Sequence, residues 1–148
     1  MSTKVKPYKK LKDVLGHSLV NEQIESNYDF ITQADKGVTA TAINNFKSYF
    51  DITREETAAI LNVSSPTLYR WISSNKNLSR NTSIQLLELT DLFLLGSEIF
   101  NSKEDFIKWL KLPNQSIGGM EPMHLLEFPG GFSKVRDLLG RIEHGVFS

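Results

Sequence analysis

The chain has 148 residues, 17 acidic and 17 basic side chains, and no cysteine. That length suits one domain or two small coupled ones, with room for a core that needs no covalent staples. The missing thiols exclude disulfides, thiolate metal sites and cysteine nucleophiles.

The zero net charge hides an asymmetry. Residues 1–80 hold 11 Lys/Arg against 8 Asp/Glu, and residues 81–148 hold 6 against 9, so the halves carry +3 and −3. A basic first half suits phosphate neutralisation. An acidic second half points to a different partner, or simply to solubility.

Residues 1–12 carry Lys4, Lys6, Lys9, Lys10 and Lys12 with little apolar content. They read as a solvated terminus, with an arm tracking DNA phosphates as the alternative. No apolar run follows them, unlike a signal peptide. The longest apolar cluster, residues 92–95, is too short to span a bilayer. A cytoplasmic protein without a membrane segment is the expectation. Val20, Ile24, Tyr28 and Ile31 then recur at helical intervals. They predict an amphipathic helix over 18–36 with Ser18 as N-cap and Gly37 as its stop. Its thin inner stripe suits peripheral packing or a dimer contact. Residues 39–50 form a second helix with Ile43, Phe46 and Phe50 along one side.

Residues 53–72, TREETAAILNVSSPTLYRWI, are the most organised stretch. Thr53 and Glu56 have the spacing of a capping box. Ala58 and Leu61 face inward, the small Ala58 allowing a close helix crossing. Asn62 ends the first helix in a left-handed conformation, and Val63 plugs the turn. Ser65 reads as the N-cap of a second helix with Pro66 at its first position. Leu68, Trp71 and Ile72 lie on one side of that helix. Arg70 falls about 200° round from Leu68 and points outward, flanked by Thr67 and Tyr69. Two short helices across a tight turn, the second with a polar outer face, make a helix-turn-helix. Ser64, Ser65, Thr67, Tyr69 and Arg70 are the candidate DNA contacts. Tyr69 reads equally well as a half-buried flank residue.

Residues 73–78 form a polar loop, and Ser79 caps the longest helix, over about 80–100. Ser102 starts another, with Asp105 at its third position; Phe106, Ile107, Trp109 and Leu110 pack, and Pro113 ends it. Gly118-Gly119 signals a turn, and Pro122 opens a short helix through Leu126. The last helix spans about 132–143, with Phe132, Val135, Leu138, Leu139 and Ile142 inward. Gly140 inside it costs about 1 kcal/mol against Ala and predicts close approach of another backbone. No useful length alternates with period two, so the fold class is all-α.

Catalytic machinery is not apparent. His17, His124 and His144 lie far apart, none in the i, i+4 pairing of a helical metal site, and read as surface or capping residues. Adjacent Glu104 and Asp105 suit the positive end of a helix dipole. Neither Gly-Gly pair has the Lys-Ser/Thr of a phosphate loop. Trp71 and Trp109 read as core. No catalytic residue, metal site or cofactor is assigned.

The helix-turn-helix resembles the Xre/Cro type of bacterial repressor through Ala58, Leu61, Asn62, Val63, Ser64 and Arg70-Trp71. Asn62 stands where that type commonly has Gly. Residues 79–148 resemble the toxin-binding domain of Xre/MbcA/ParS-type antitoxins. The resemblance rests on Leu78-Ser79, Trp109-Leu110, Pro113-Asn114, Gly118-Gly119, Pro122 with Leu125-Leu126, Gly131 and Val135. It continues through LGRIE over 139–143 and GVFS over 145–148. Phe128 and Phe147 depart from it, standing where a polar residue and Tyr are usual. Residues 1–37 carry no assignable resemblance.

Three segments are expected: a basic segment with an accessory helix (1–37), read from its lysines and its helical spacing, and, as the resemblance implies, a helix-turn-helix domain (38–78) and a toxin-binding domain (79–148). It implies an antitoxin that represses its own operon as a homodimer on operator DNA. It also implies that the C-terminal domain occludes a cognate RES-domain toxin, an enzyme acting on NAD⁺, with no cofactor of the antitoxin's own. The last helix and tail then carry the toxin contacts: Arg141, Glu143, Gly145, Val146, Phe147 and Ser148. An acidic domain with an apolar tip suits a basic, aromatic-lined dinucleotide cleft. The alternative is a stand-alone repressor whose C-terminal half only dimerises.

Overall fold

The computed structural model describes residues 7–145. Among these the fold is all-α: helices form throughout, no strand forms, and the sheet-like pairings are two isolated bridges, Thr39 with Asn77 and Asn114 with Met120. The chain divides into two compact units, residues 1–91 and 92–148.

The first unit opens with helix α1 (Pro7–Leu15). This corrects the reading of a solvated start from Pro7 onward. The apolar content is small but well spaced: Leu11, Val14 and Leu15 are buried, while Lys9 and Lys10 remain exposed. The Tyr8 ring meets Phe30 edge-on at 6.0 Å. Lys4 and Lys6 lie outside the described residues.

The single helix expected over 18–36 is also corrected. An irregular stretch leads into a shorter helix, α2 (Asp29–Lys36). Val20 and Ile24 are buried without helical backbone around them. Side chains take the backbone groups a helix would have paired. The Asp29 carboxylate accepts from the N–H groups of Glu25 (2.9 Å) and Ser26 (3.2 Å). Buried Gln33 accepts from the Glu22 N–H at 2.9 Å and donates to the Leu19 and Gly37 carbonyls at 3.4 and 3.3 Å. The inner face of α2 is Phe30, Gln33 and Ala34. Tyr28 and Ile31, expected on that face, are 79% and 50% exposed.

Helix α3 (Thr41–Phe50) buries Ile43, Phe46 and Phe50, as their spacing predicts. It is followed by α4 (Arg54–Leu61) and α5 (Ser65–Ser73). A backbone clasp closes this group: the Ala40 N–H donates to the Lys76 carbonyl (2.8 Å) and the Leu78 N–H to the Val38 carbonyl (2.9 Å). Asn75 Oδ1 reinforces it by accepting from the N–H and hydroxyl of Thr41.

Helix α6 (Arg80–Phe100) starts in the first unit and ends in the second. Ser79 caps it, accepting the Thr82 N–H at 3.1 Å. Leu86, Leu87, Leu89, Leu92, Phe93 and Leu94 are buried over more than half of its circumference, while Asn81, Glu88 and Glu98 keep one strip exposed. So wide an apolar face places the helix in the core with one polar strip facing outward.

In the second unit α7 (Lys103–Leu110) starts at Ser102, whose hydroxyl accepts the Asp105 N–H at 3.1 Å. Phe106 is fully buried against Phe93, ring centroids 5.3 Å apart. Trp109 covers Phe100 and Phe106 at 5.5 and 6.2 Å. It is half-buried, as is Trp71 on α5, so both tryptophans border the core rather than fill it. Buried Asn114 folds the loop that follows: its Oδ1 accepts from Ser116 N–H, and its backbone carbonyl accepts from Gly119 N–H. Helix α8 (Pro122–Leu125) and helix α9 (Gly131–Glu143) complete the unit. A side chain at Gly131 would strike the Leu125 carbonyl, so glycine there sets how closely α9 approaches α8. Val135, Leu138 and Leu139 hold α9 to its unit; Phe132 and Ile142, expected inward, are half-buried at its ends.

Candidate nucleic-acid interface and partner-binding face

The helix-turn-helix is fixed by its caps. Thr53 Oγ1 accepts the Glu56 N–H at 3.0 Å, and Glu56 Oε1 accepts the Thr53 N–H at 2.8 Å. This reciprocal pair satisfies two N–H groups that a helix start leaves open. At the other end of α4, Asn62 is left-handed, with φ 59° and ψ 41°. The Val63 N–H reaches the Ala58 carbonyl (3.0 Å) and the Asn62 N–H reaches Ala59 (3.2 Å), a Schellman arrangement that turns the chain sharply. Buried Ala58 and Leu68 lie in the core of this pair of helices.

The N-cap of α5 is Ser64, not Ser65 as its sequence suggests. Ser64 has extended backbone, its Oγ accepts the Thr67 N–H at 3.2 Å, and its carbonyl accepts the Leu68 N–H at 3.0 Å. Ser65 is therefore the first helical residue and Pro66 the second, a position where proline's missing N–H still costs nothing.

That one-residue shift sorts the candidate DNA contacts into two sets. Ser64, Thr67 and Arg70 form one chain of hydrogen bonds. The Ser64 hydroxyl donates to Thr67 Oγ1 at 2.8 Å, and Arg70 Nη2 donates to the same oxygen at 3.0 Å. Ser65 and Tyr69 belong instead to Arg54, a residue of α4. Arg54 Nε donates to Ser65 Oγ at 3.0 Å, and its guanidinium lies over the Tyr69 ring, 5.1 Å from the centroid. Tyr69 is 56% exposed, and Arg54 and Arg70 are exposed.

Sequence reasoning missed Arg54, although one signal was present. A cation in the first turn of a helix opposes the macrodipole, so its position calls for another reason.

The second candidate surface is α9. Arg141 and Glu143 are exposed, and Gly145, also exposed, bends the chain with φ 77°. Val146, Phe147 and Ser148 lie outside the described residues. Arg141 lines a shallow depression together with Arg136, Asp137, Gly140 and His144. No described residue of this chain supplies the close approach of another backbone expected at Gly140: a Cβ there has no atom within 4 Å. His144 is the C-cap residue of α9, while His17 and His124 are exposed beside Asp13 and Glu127.

Residues 29–90 match the antitoxin Xre-like helix-turn-helix domain, and residues 95–145 match the antitoxin Xre/MbcA/ParS C-terminal toxin-binding domain. Among curated relatives, the chain is similar to the "Prs ADP-ribosylating antitoxin" of Sphingobium sp. (strain YBL2), with 26% identity over 132 residues and 83% of each chain covered. It is similar to "Antitoxin Xre" of Yersinia enterocolitica serotype O:8, with 26% identity over 113 residues and 76% of each chain covered. The "Antitoxin Xre" of Photorhabdus laumondii is 22% identical over 115 residues, covering 77% of this chain and 78% of its own. The two adjoining domain matches fall on the capped helix-turn-helix and on the unit that carries α9, and the chain belongs to the Xre/MbcA/ParS antitoxins.

Proposed function

We propose that this antitoxin neutralises a RES-type, NAD⁺-degrading toxin by occluding its active site with α9 and the tail beyond Gly145. The observation that carries this reading is the outer face of α9. A helical glycine stands there, at about 1 kcal/mol against alanine, with no described residue packed on it. Arg136, Asp137, Arg141 and His144 surround it. Such a face suits close approach of a partner, with charged side chains setting orientation. The name of the Sphingobium relative supports NAD⁺ as the substrate, because ADP-ribosylation consumes NAD⁺.

The helix-turn-helix acts as an autorepressor of the operon, as a homodimer on operator DNA in the cytoplasm. No helix of the described residues is long and apolar enough to cross a membrane. The antitoxin binds no cofactor and catalyses no reaction of its own. The roles assigned to residues 1–37, 38–78 and 79–148 belong to this proposal.

The test is co-expression with the product of the neighbouring reading frame. A RES-type toxin should lower cellular NAD⁺ when expressed alone, and co-expression should restore it, with both chains in one complex of measurable mass. Removal of residues 145–148 should weaken this protection while leaving promoter binding intact. A chain that shifts its own promoter but forms no complex with the neighbouring product would be a stand-alone repressor.

A further inference from the structure

We infer that Arg54 is a DNA-backbone contact in its own right, held by Ser65 and Tyr69, and that Tyr69 serves as its platform rather than touching DNA. This inference rests on the DNA-reading function proposed above.

The geometry divides the exposed side of the helix-turn-helix between two guanidinium groups. Arg70 comes from α5 and is tied through Thr67 to the N-cap hydroxyl of Ser64. Arg54 comes from α4 and is tied to Ser65. Successive serines at the start of α5 therefore serve two arginines from two helices.

Arg54 is more constrained than a surface arginine usually is. Its Nε–H is used by Ser65 Oγ at 3.0 Å, and the Tyr69 ring supports its guanidinium at 5.1 Å. The pair of Nη groups takes no part in that bond. A guanidinium fixed through Nε and one face retains donors suited to a phosphate's oxygens. Holding it in place also reduces the rotamer entropy lost when DNA binds.

The site gives Arg54 little reason to be there for folding. It occupies the first turn of α4, where the dipole disfavours a cation, and Glu55 and Glu56 already supply favourable charge. A duplex phosphate reverses that balance. The anion would meet Arg54 beside the start of α5, where the positive end of that helix's dipole adds attraction.

This placement also assigns different work to the two arginines. A phosphate contact strengthens binding to every sequence, whereas a base contact discriminates among them. Arg54 stands on α4, outside the recognition helix, and belongs to the first class. Tyr69 has its ring beneath Arg54, so its contribution passes through the guanidinium and its hydroxyl is dispensable.

The experiment measures binding of the full chain to a duplex carrying the DNA upstream of its own reading frame, across a series of salt concentrations. Arg54→Ala should lower affinity roughly tenfold, equally for matched and mismatched duplexes, and reduce the salt slope by about 1 per bound copy. Arg54→Lys should keep that slope because it keeps the charge. Tyr69→Phe should bind within about twofold of wild type, while Tyr69→Ala should lose roughly threefold through loss of the cation–π support. In the Arg54→Ala background, Tyr69→Ala should cost nothing further. A wild-type protein that binds while Arg54→Ala keeps the full salt slope overturns this inference alone. So does a Tyr69→Phe loss equal to that of Tyr69→Ala. A wild-type protein that leaves the duplex unbound at low salt overturns the DNA-reading function and the inference together.

Discussion

Gly96 of α6 is the seat of Phe106. A Cβ added at Gly96 would fall on the Phe106 ring, and the ring is completely buried there. The ring also meets Phe93 edge-on at 5.3 Å, a preferred aromatic arrangement. Helix propensity alone would favour alanine at position 96 by about 1 kcal/mol. Packing opposes it, because an inserted methyl forces the ring and α7 to shift, at about 1–3 kcal/mol. Gly96→Ala should therefore lower the melting temperature of the second unit. An increase would show that Phe106 relaxes without strain.

Gln33 carries the irregular stretch before α2. It is buried, accepts the Glu22 N–H and donates to two carbonyls. Gln33→Leu fits the apolar surroundings but leaves those backbone groups without their side-chain partner. The expected loss is about 1–3 kcal/mol in denaturant unfolding. Faster amide exchange at Glu22 should accompany it, distinguishing the lost bond from a general packing defect.

These two residues show where the sequence is legible and where it is not. Caps and turns are local, so Thr53 with Glu56, Asn62, Ser79 and Ser102 reveal their helix ends within a few positions. The stripe of Val20, Ile24, Tyr28 and Ile31 misleads because its first two members lie in an irregular stretch whose Glu22, Glu25 and Ser26 N–H groups are taken by the side chains of Gln33 and Asp29. Periodicity carries no information about such bonds. At Ser64 and Ser65 two adjacent hydroxyls fit one role equally well, and only the backbone of Ser64 separates them. Arg54 joins the candidate DNA surface through a contact 11 residues away, beyond the reach of any local pattern. Glycine alone does not tell where space is tight: no described residue of this chain lies within 4 Å of a Cβ at Gly140, whereas one at Gly96 would strike Phe106.

Gly140 gives a prediction of opposite sign for stability and function. Because a Cβ there meets nothing in this chain, Gly140→Ala should stabilise the free antitoxin by about 0.5–1 kcal/mol. If a toxin's surface packs on this face, the same methyl should weaken the complex, and Gly140→Leu should weaken it further. Thermal unfolding reads the first effect and titration of toxin inhibition the second. Unchanged inhibition by Gly140→Leu would remove this face from the toxin contact.

Arg141 lines the same depression and tests its electrostatics. It is exposed in the last turn of α9, so Arg141→Glu should lower the unfolding free energy by no more than about 1 kcal/mol, the cost of an anion at the negative end of a helix. Reversing the charge should nevertheless weaken toxin binding and alter its salt dependence, because the partner's surface must complement the wild-type side chain. Calorimetric titration at two salt concentrations measures both effects.

Arg70 separates base reading from simple adhesion. Its guanidinium is held through Thr67 to the N-cap of α5, exposed on the outward side of the recognition helix. If it reads a base, Arg70→Ala should cost about 1–3 kcal/mol and relax discrimination at one operator position, leaving the other positions as selective as before. Binding to a panel of duplexes, each changed at one base pair, gives the answer directly. A loss spread evenly over the panel would instead place Arg70 on a phosphate. Thr67→Val provides the second arm: it removes the oxygen that accepts from Arg70 Nη2 while nearly preserving side-chain volume. A base-reading Arg70 should then lose part of its selectivity, because the side chain must be ordered anew when it meets the base. Repression of a reporter from the native promoter should follow the same ranking, with Arg70→Ala weaker than Thr67→Val and both weaker than wild type.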